Sequence, residues 1–220
     1  MTVAAVPVKG LEDAKSRLLP SLSPEARAEL CLAMLRDVLE ALAAVPEIRR
    51  RVVVTPDPAV AERARELGAE VLLEHGRGLN EAVDEAGATL VPEGEPFLVV
   101  LGDVAGARPH EIRAMLEVGH EIGAPGAVLA PSSDGGTCAL LRQPAAAFPG
   151  AFGPGSAARH RAMAARLGIP LRVVHLPSLA LDLDDAEDLE RFLASETGGA
   201  HTRALLERLG HRPGARATGP

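Results

Sequence analysis

The sequence predicts an α/β protein: a mainly parallel sheet with helices on both faces and one β-hairpin excursion. Three observations carry this. Short β-branched runs alternate with longer segments whose apolar residues recur at helical spacing. The joints between them hold N-cap side chains, prolines at helix starts and glycines past helix ends. One stretch, Gly135-Gly136-Thr137-Cys138-Ala139-Leu140-Leu141, breaks the alternation with a glycine turn before a second apolar run, as in a hairpin over the site.

The elements follow in order. Val3 to Val8 is an apolar run read as the first strand, ending in Lys9. Ser23 caps a helix over 24–45, in which Leu30, Met34, Val38, Leu42 and Val45 fall on one face. RVVV at 51–54 is the next strand, and Asp57-Pro58 opens a helix that Gly68 closes. Strands at 70–73 (EVLL), 97–101 (FLVVL), 127–130 (AVLA) and 171–175 (LRVVH) are separated by helices over 80–90, 109–119 and 156–167. A helix over 185–193 starts at Asp185, with Glu187 at N2 and Asp188 at N3 suiting its positive end. From Gly198 the chain turns polar and Gly-rich and recovers a short helix near 202–209. Residues 1–210 are expected to form one domain, and 211–220 (HRPGARATGP) a disordered tail.

Composition removes several function classes. A formal net charge of -7 argues against general nucleic-acid binding. With no Trp, no Tyr and only 4 Phe, a base-stacking surface has little to be built from. A nucleobase would have to be held by aliphatic walls and backbone hydrogen bonds. No apolar segment approaches the roughly 20 residues needed to span a bilayer, and the start lacks a basic n-region. A cytoplasmic location without a membrane partner is therefore expected. Cys31 and Cys138 are expected to be buried free thiols rather than a disulfide, and neither has metal-site spacing.

Four stretches sit where this topology places strand ends, the edge at which open α/β sheets bind ligands. The loop after the first strand carries Lys9, Lys15 and Arg17, cations suited either to a solvated helix face or to a polyanion; it matches neither common phosphate-loop motif. Asp103 directly follows a buried strand, where it can cap a turn or bind a divalent metal. Asp182 and Asp184 project the same way from an extended segment, where they either hold a cation between two carboxylates that would otherwise repel or, with the acids after them, serve the start of the next helix. Gly153-Pro154-Gly155-Ser156 leads into a helix whose first turn offers free N–H groups to an anion, or is an ordinary Ser cap; His160 beyond it has no visible acid-base partner. Together these describe phosphoryl or nucleotidyl transfer, which depends on positioning and charge neutralisation.

The stretches VPVKGLEDAKSRL, GRGLNEAV, LGD, SSDGGTCALL, FGPGSAARH and LALDLDDAEDL, in this order over residues 6–189, closely resemble the guanylyltransferases of coenzyme F-420 biosynthesis, the CofC/FbiD family. The resemblance implies a Rossmann-like nucleotidyltransferase fold. It implies GTP as co-substrate and a phosphorylated three-carbon acid, phosphoenolpyruvate or 2-phospho-L-lactate, as acceptor of GMP. By position, Lys9 and Lys15 would contact the GTP phosphates, Lys15 also steadying charge during transfer, and Asn80 would lie by the guanine or ribose. Asp103, with a catalytic part, and Asp182 and Asp184 would hold magnesium. Thr137, Gly153 and Ser156 would hold the acid.

Two departures stand out: Val104-Ala105-Gly106 follows Asp103 where the family has Leu-Pro, and Cys138 stands where it has Asn. The second is expected to bear on the choice of acid. The acceptor's own phosphate, with a second pKa of about 6, is largely ionised at pH 7, so no protein nucleophile is required. A homodimer is left open as the assembly. Two other readings stand beside this one: a nucleotide-sugar glycosyltransferase, since Asp182-Leu183-Asp184 is formally D-x-D, and a catalytically inactive ligand-binding relative.

Overall fold

A computed structural model describes residues 1–12, 18, 22–74 and 78–211. Lys15 and Arg17, and the tail from 212, lie outside the described residues. One seven-stranded sheet organises them, with strands β1 (Thr2–Pro7), β2 (Ile48–Thr55), β3 (Glu70–Leu73), β4 (Phe97–Val100), β5 (Gly126–Pro131), β6 (Thr137–Gln143) and β7 (Leu171–Val173). The helices are α1 (Pro24–Ala43), α2 (Pro58–Glu66), α3 (Leu79–Leu90), α4 (Pro109–Ile122), α5 (Ser156–Arg166), α6 (Ala186–Ala194) and α7 (Ala200–Arg208).

The strand order is β3-β2-β1-β4-β6-β5-β7. All neighbouring pairs are parallel except β4–β6 and β5–β6. The expected hairpin exists, since β5 and β6 pair antiparallel across the Gly135-Gly136 turn. Its second strand lies within the sheet rather than over it, however. Every residue of β6 is buried, and the strand is wedged between β4 and β5 in the middle of the sheet. A run as apolar as Cys138-Ala139-Leu140-Leu141 gains far more from two covered faces than from solvent, so the hairpin becomes part of the sheet.

Alternation along the strands divides the core. On β1, Ala4 and Val6 face a cluster with Leu35, Val38 and Leu42 of α1, Val60 of α2 and Ile112 and Met115 of α4. Val3 and Ala5 face the other side, toward Ala82, Val83 and Ala86 of α3 and Ala157 and Ala164 of α5. A third cluster joins the start of α1 to α6 and α7 through Leu30, Met34, Leu189, Phe192 and Leu206.

The caps follow the sequence. The Ser23 hydroxyl accepts from Ala26 N–H, the Asp57 carboxylate accepts from Ala59 and Val60 N–H, and Asp185 and Asp188 form a reciprocal capping box. One cap comes from a distance: Asp37 on α1 accepts from the N–H groups of His201 (3.0 Å) and Thr202 (2.8 Å), closing the start of α7. Among the described residues no helix is long and apolar enough to cross a membrane.

Candidate active site

Strand order reverses between β1 and β4: the chain runs outward through β2 and β3, then returns to the other side of β1. Crevices form at such switch points, outside the C-terminal strand ends. Here a cleft of about 410 Å³ lies there, lined by Pro7 to Lys9 beyond β1 and by Leu101, Gly102 and Asp103 beyond β4. Ser132, Asp134, Gly136 and Thr137 at the β5–β6 turn, residues 152–154, and Asp182 and Asp184 complete the walls. The N-terminal end of antiparallel β6 thus reaches the same edge as the C-terminal ends of its neighbours.

Close approach of the β1 and β4 exits requires Gly102. A Cβ added there would stand 2.8 Å from Val8 Cγ2 and 3.2 Å from the Pro7 carbonyl oxygen. On the β1 side Lys9 is exposed at the mouth, and the Leu11 N–H donates to Asp57 Oδ2 (2.8 Å) while Oδ1 of the same carboxylate caps α2. Asp57 therefore ties the start of the basic loop to the second helix.

The acidic wall is gathered by backbone. Leu183 is buried between half-buried Asp182 and Asp184, so both carboxylates turn to the same side, and the Leu183 N–H donates to the Asp103 carbonyl oxygen (3.4 Å). Asp188, besides its part in the capping box, accepts from Asp184 N–H (2.9 Å), which fixes the segment's exit. Burial first, then the charge of Asp103, pushes the Asp182 carboxyl up to about 6. Among the described residues no three His, Cys, Asp or Glu side chains already stand together at metal-ligand spacing. The donor set nevertheless fits magnesium: it consists of hard carboxylate oxygens, and this ion commonly takes one or two carboxylates and completes its shell with water and substrate phosphate.

The opposite wall is a polar network. Thr137 is buried but for its edge on the cleft, while Ser156 and His160 are fully buried. The Ser156 hydroxyl donates to Thr137 Oγ1 (2.9 Å), and Nδ1 of His160 lies 3.1 Å from the same oxygen. Nε2 of His160 accepts from the Ala151 N–H (2.9 Å). Burial, then the charges of Arg142 and Arg159, holds His160 down at about 4.

The glycine segment before α5 is held from behind. Gly153 (φ 118°) and Gly155 (φ 67°) adopt positive φ. Arg159 donates to the carbonyls of Ala151 (2.8 Å) and Pro154. Asp84 accepts from Gly150 N–H (3.0 Å) and from buried Arg142 (2.8 Å).

Of the residues the sequence singles out, Lys9, Asp103, Thr137, Gly153, Asp182 and Asp184 share the cleft. Ser156 lies one layer behind it, with its hydroxyl on Thr137. Asn80 also differs from expectation. Its amide donates to the Phe152 carbonyl (3.2 Å) and its carbonyl accepts from the Phe152 N–H (2.6 Å), so it clamps the glycine segment rather than facing the cleft. Cys31 and Cys138 are buried free thiols. Cys138 points into the core behind the site, where burial and the charges of Asp182 and Asp103 push its thiol up. Val104 and Ala105 are fully buried and simply pack. Two roles emerge only from the fold, that of His160, which shows no partner in the sequence, and that of Asp134. His160 lies four residues after Ser156, one helical turn on the same face, which was the available signal. Asp134 accepts from Ser132 and from the Gly136 N–H (2.9 Å), shaping the turn that presents Thr137.

Known proteins agree with this architecture. A cytidylyltransferase from Leptospira borgpetersenii superposes with a TM-score of 0.60 at 13% identity, covering 94% of each chain. A CMP:2-keto-3-deoxy-manno-octonic acid synthetase complexed with CTP does so at 0.61 and 14%, over 94% of this chain and 98% of the other. At such identities the likeness speaks for the nucleotidyltransferase fold alone.

Sequence goes further. A phosphoenolpyruvate guanylyltransferase of Rubrobacter xylanophilus is 46% identical over 202 residues, 91% of this chain and 96% of its own. A 3-phospho-D-glycerate guanylyltransferase of Colwellia psychrerythraea is 33% identical over 190 residues, 86% of this chain and 90% of its own. The model of the CofC-like guanylyl transferases matches residues 2–216, and the chain belongs to that family of enzymes.

Proposed function

We propose that this enzyme transfers GMP from GTP to phosphoenolpyruvate, or to 2-phospho-L-lactate, releasing pyrophosphate and giving a guanylylated diphosphate for coenzyme F-420 biosynthesis. The observation that carries the reading is the pairing, across one cleft, of a three-aspartate wall and the Thr137 hydroxyl, with Lys9 at the mouth. Relatives named for phosphoenolpyruvate at 46% and 41% identity support the choice of acid.

The acid's phosphate oxygen attacks the α-phosphorus of GTP in line with departing pyrophosphate, and needs no protein base, being already ionised. Lys9 and Lys15 hold the triphosphate. Thr137 and the backbone at Gly153 hold the acid, with Ser156 supporting Thr137 from behind. Asp103, Asp182 and Asp184 would hold magnesium, which when bound supplies neutralisation of phosphate charge. Asn80 serves the nucleotide through Phe152, by keeping the glycine segment in place. Residues 1–210 act as one catalytic unit in this reading.

The test is pyrophosphate release by the purified chain with magnesium and GTP, given phosphoenolpyruvate, 2-phospho-L-lactate or 3-phosphoglycerate in parallel. Release with phosphoenolpyruvate, abolished by chelation and much weaker with ATP, is expected. Preference for 3-phosphoglycerate would reassign the acid, and no release with any acid would make the chain an inactive relative.

A further inference from the structure

We propose that His160 is a positioning residue that, together with Ser156, commits the Thr137 hydroxyl proton to the cleft and so makes Thr137 a dedicated donor to an anionic oxygen of the bound acid. This rests on the reading of the Thr137 wall as the acid's subsite and adds to it the protons that no heavy-atom contact shows.

The Ala151 N–H points at Nε2 of His160 (2.9 Å), and a backbone N–H can only donate, so Nε2 carries no proton. The ring is neutral at pH 7, since burial with Arg142 and Arg159 beside it depresses its pKa to about 4. A neutral imidazole with a bare Nε2 has its proton on Nδ1. Nδ1–H therefore donates to Thr137 Oγ1, 3.1 Å away. The Ser156 hydroxyl donates to the same oxygen (2.9 Å).

A hydroxyl oxygen has two lone pairs, and both are now filled. What Thr137 has left is its single proton, and the remaining open direction is the cleft that the residue lines beside Gly136, Phe152 and Gly153. The other tautomer would set the imidazole Nε2–H against the Ala151 N–H, donor against donor in a buried place. Buried clashes of that kind are costly, so the backbone of residue 151 selects the tautomer.

Such a hydroxyl discriminates by charge state. It offers a donor and no acceptor, which suits a carboxylate or phosphate oxygen and disfavours a ligand that presents a hydroxyl or amide proton at that point. Because the proton direction is set before binding, no hydroxyl reorientation is needed when the acid arrives.

The experiment measures KM for phosphoenolpyruvate and for GTP, kcat, and the melting temperature in Thr137→Val, His160→Ala and His160→Asn, alone and combined with Thr137→Val. Thr137→Val should raise the acid's KM by roughly 10- to 100-fold, the range of one hydrogen bond to a charged group. His160→Ala should raise it by about ten-fold with the GTP constant unmoved. His160→Asn, whose amide nitrogen can reach the Nδ1 position, should recover most of that and stands in if the alanine variant does not fold. In the Thr137→Val background neither His160 change should add anything. A His160 effect that persists in that background, or that falls equally on GTP, overturns the proposal while leaving the subsite intact. An unaltered acid KM in Thr137→Val refutes the subsite assignment itself, and the proposal with it.

Discussion

The two walls of the cleft treat polar groups in opposite ways. On the Thr137 side the network is closed: Ser156 and His160 are fully buried, and each hydrogen-bonds to Thr137. On the Asp182 side the fold gathers negative charge, and the Asp182 carboxyl is pushed up to about 6 by burial and by Asp103. A closed network stabilises the fold and leaves one directed donor. A crowd of carboxylates costs stability, and a cation held between them, as proposed for magnesium, would relieve it. One wall is shaped for rigidity and the other for charge.

The largest expected effect breaks the acidic wall. Asp182→Asn should lower pyrophosphate release by at least about 100-fold at saturating magnesium, the scale of a lost electrostatic group in phosphoryl chemistry. Its melting temperature should hold or rise, because a buried, repelled charge has gone. Wild-type turnover in that variant would remove Asp182 from the proposed metal site, and a sharp fall in melting temperature would show that the wall is structural.

Acidification probes the closed wall. His160 has a folded-state pKa of about 4 against an ordinary value of 6.5. The unfolded chain binds the extra proton first, so the contribution of neutral His160 is complete above about pH 6.5 and is lost as pH falls toward 4. The loss should be on the order of 2 kcal/mol, in a field set by Arg142, Arg159 and Asp84. Urea titrations between pH 7 and 4 should be run in Asp182→Asn, whose missing carboxyl would otherwise contribute with the opposite sign. Adding His160→Asn should flatten the profile; an unchanged slope would refute the assignment of a buried neutral imidazole.

The smallest effect separates direct contact from support. Ser156→Ala removes a buried donor to Thr137 and should cost about 1 kcal/mol of stability. Nδ1 of His160 still faces Thr137, so the acid's KM should rise only a few-fold. A rise beyond about ten-fold, with GTP unaffected, would mean that Ser156 touches the acid itself.

Much of this was legible in the chain. Periodicity placed the strands and helices, and short-range chemistry placed the caps: Ser23, Asp57 and the Asp185–Asp188 box each act within three residues, so local spacing suffices. Asp182 and Asp184 could be paired because an extended chain alternates and Leu183 between them is apolar. The family motifs put Asp103, Thr137 and Gly153 on the list that the cleft brings together.

Tertiary structure alone decided the rest, because it turned on partners far apart in sequence. Whether residues 137–143 form a flap or a central strand depended on β4, some forty residues earlier, offering an edge with both faces covered. That Asn80 clamps the glycine segment depended on Phe152, 72 positions away. Whether His160 packs or orients a hydroxyl depended on the N–H of Ala151 and on Thr137 from another strand. Local composition selects an element, but a hydrogen bond's direction is set by whichever distant donor or acceptor burial leaves facing it.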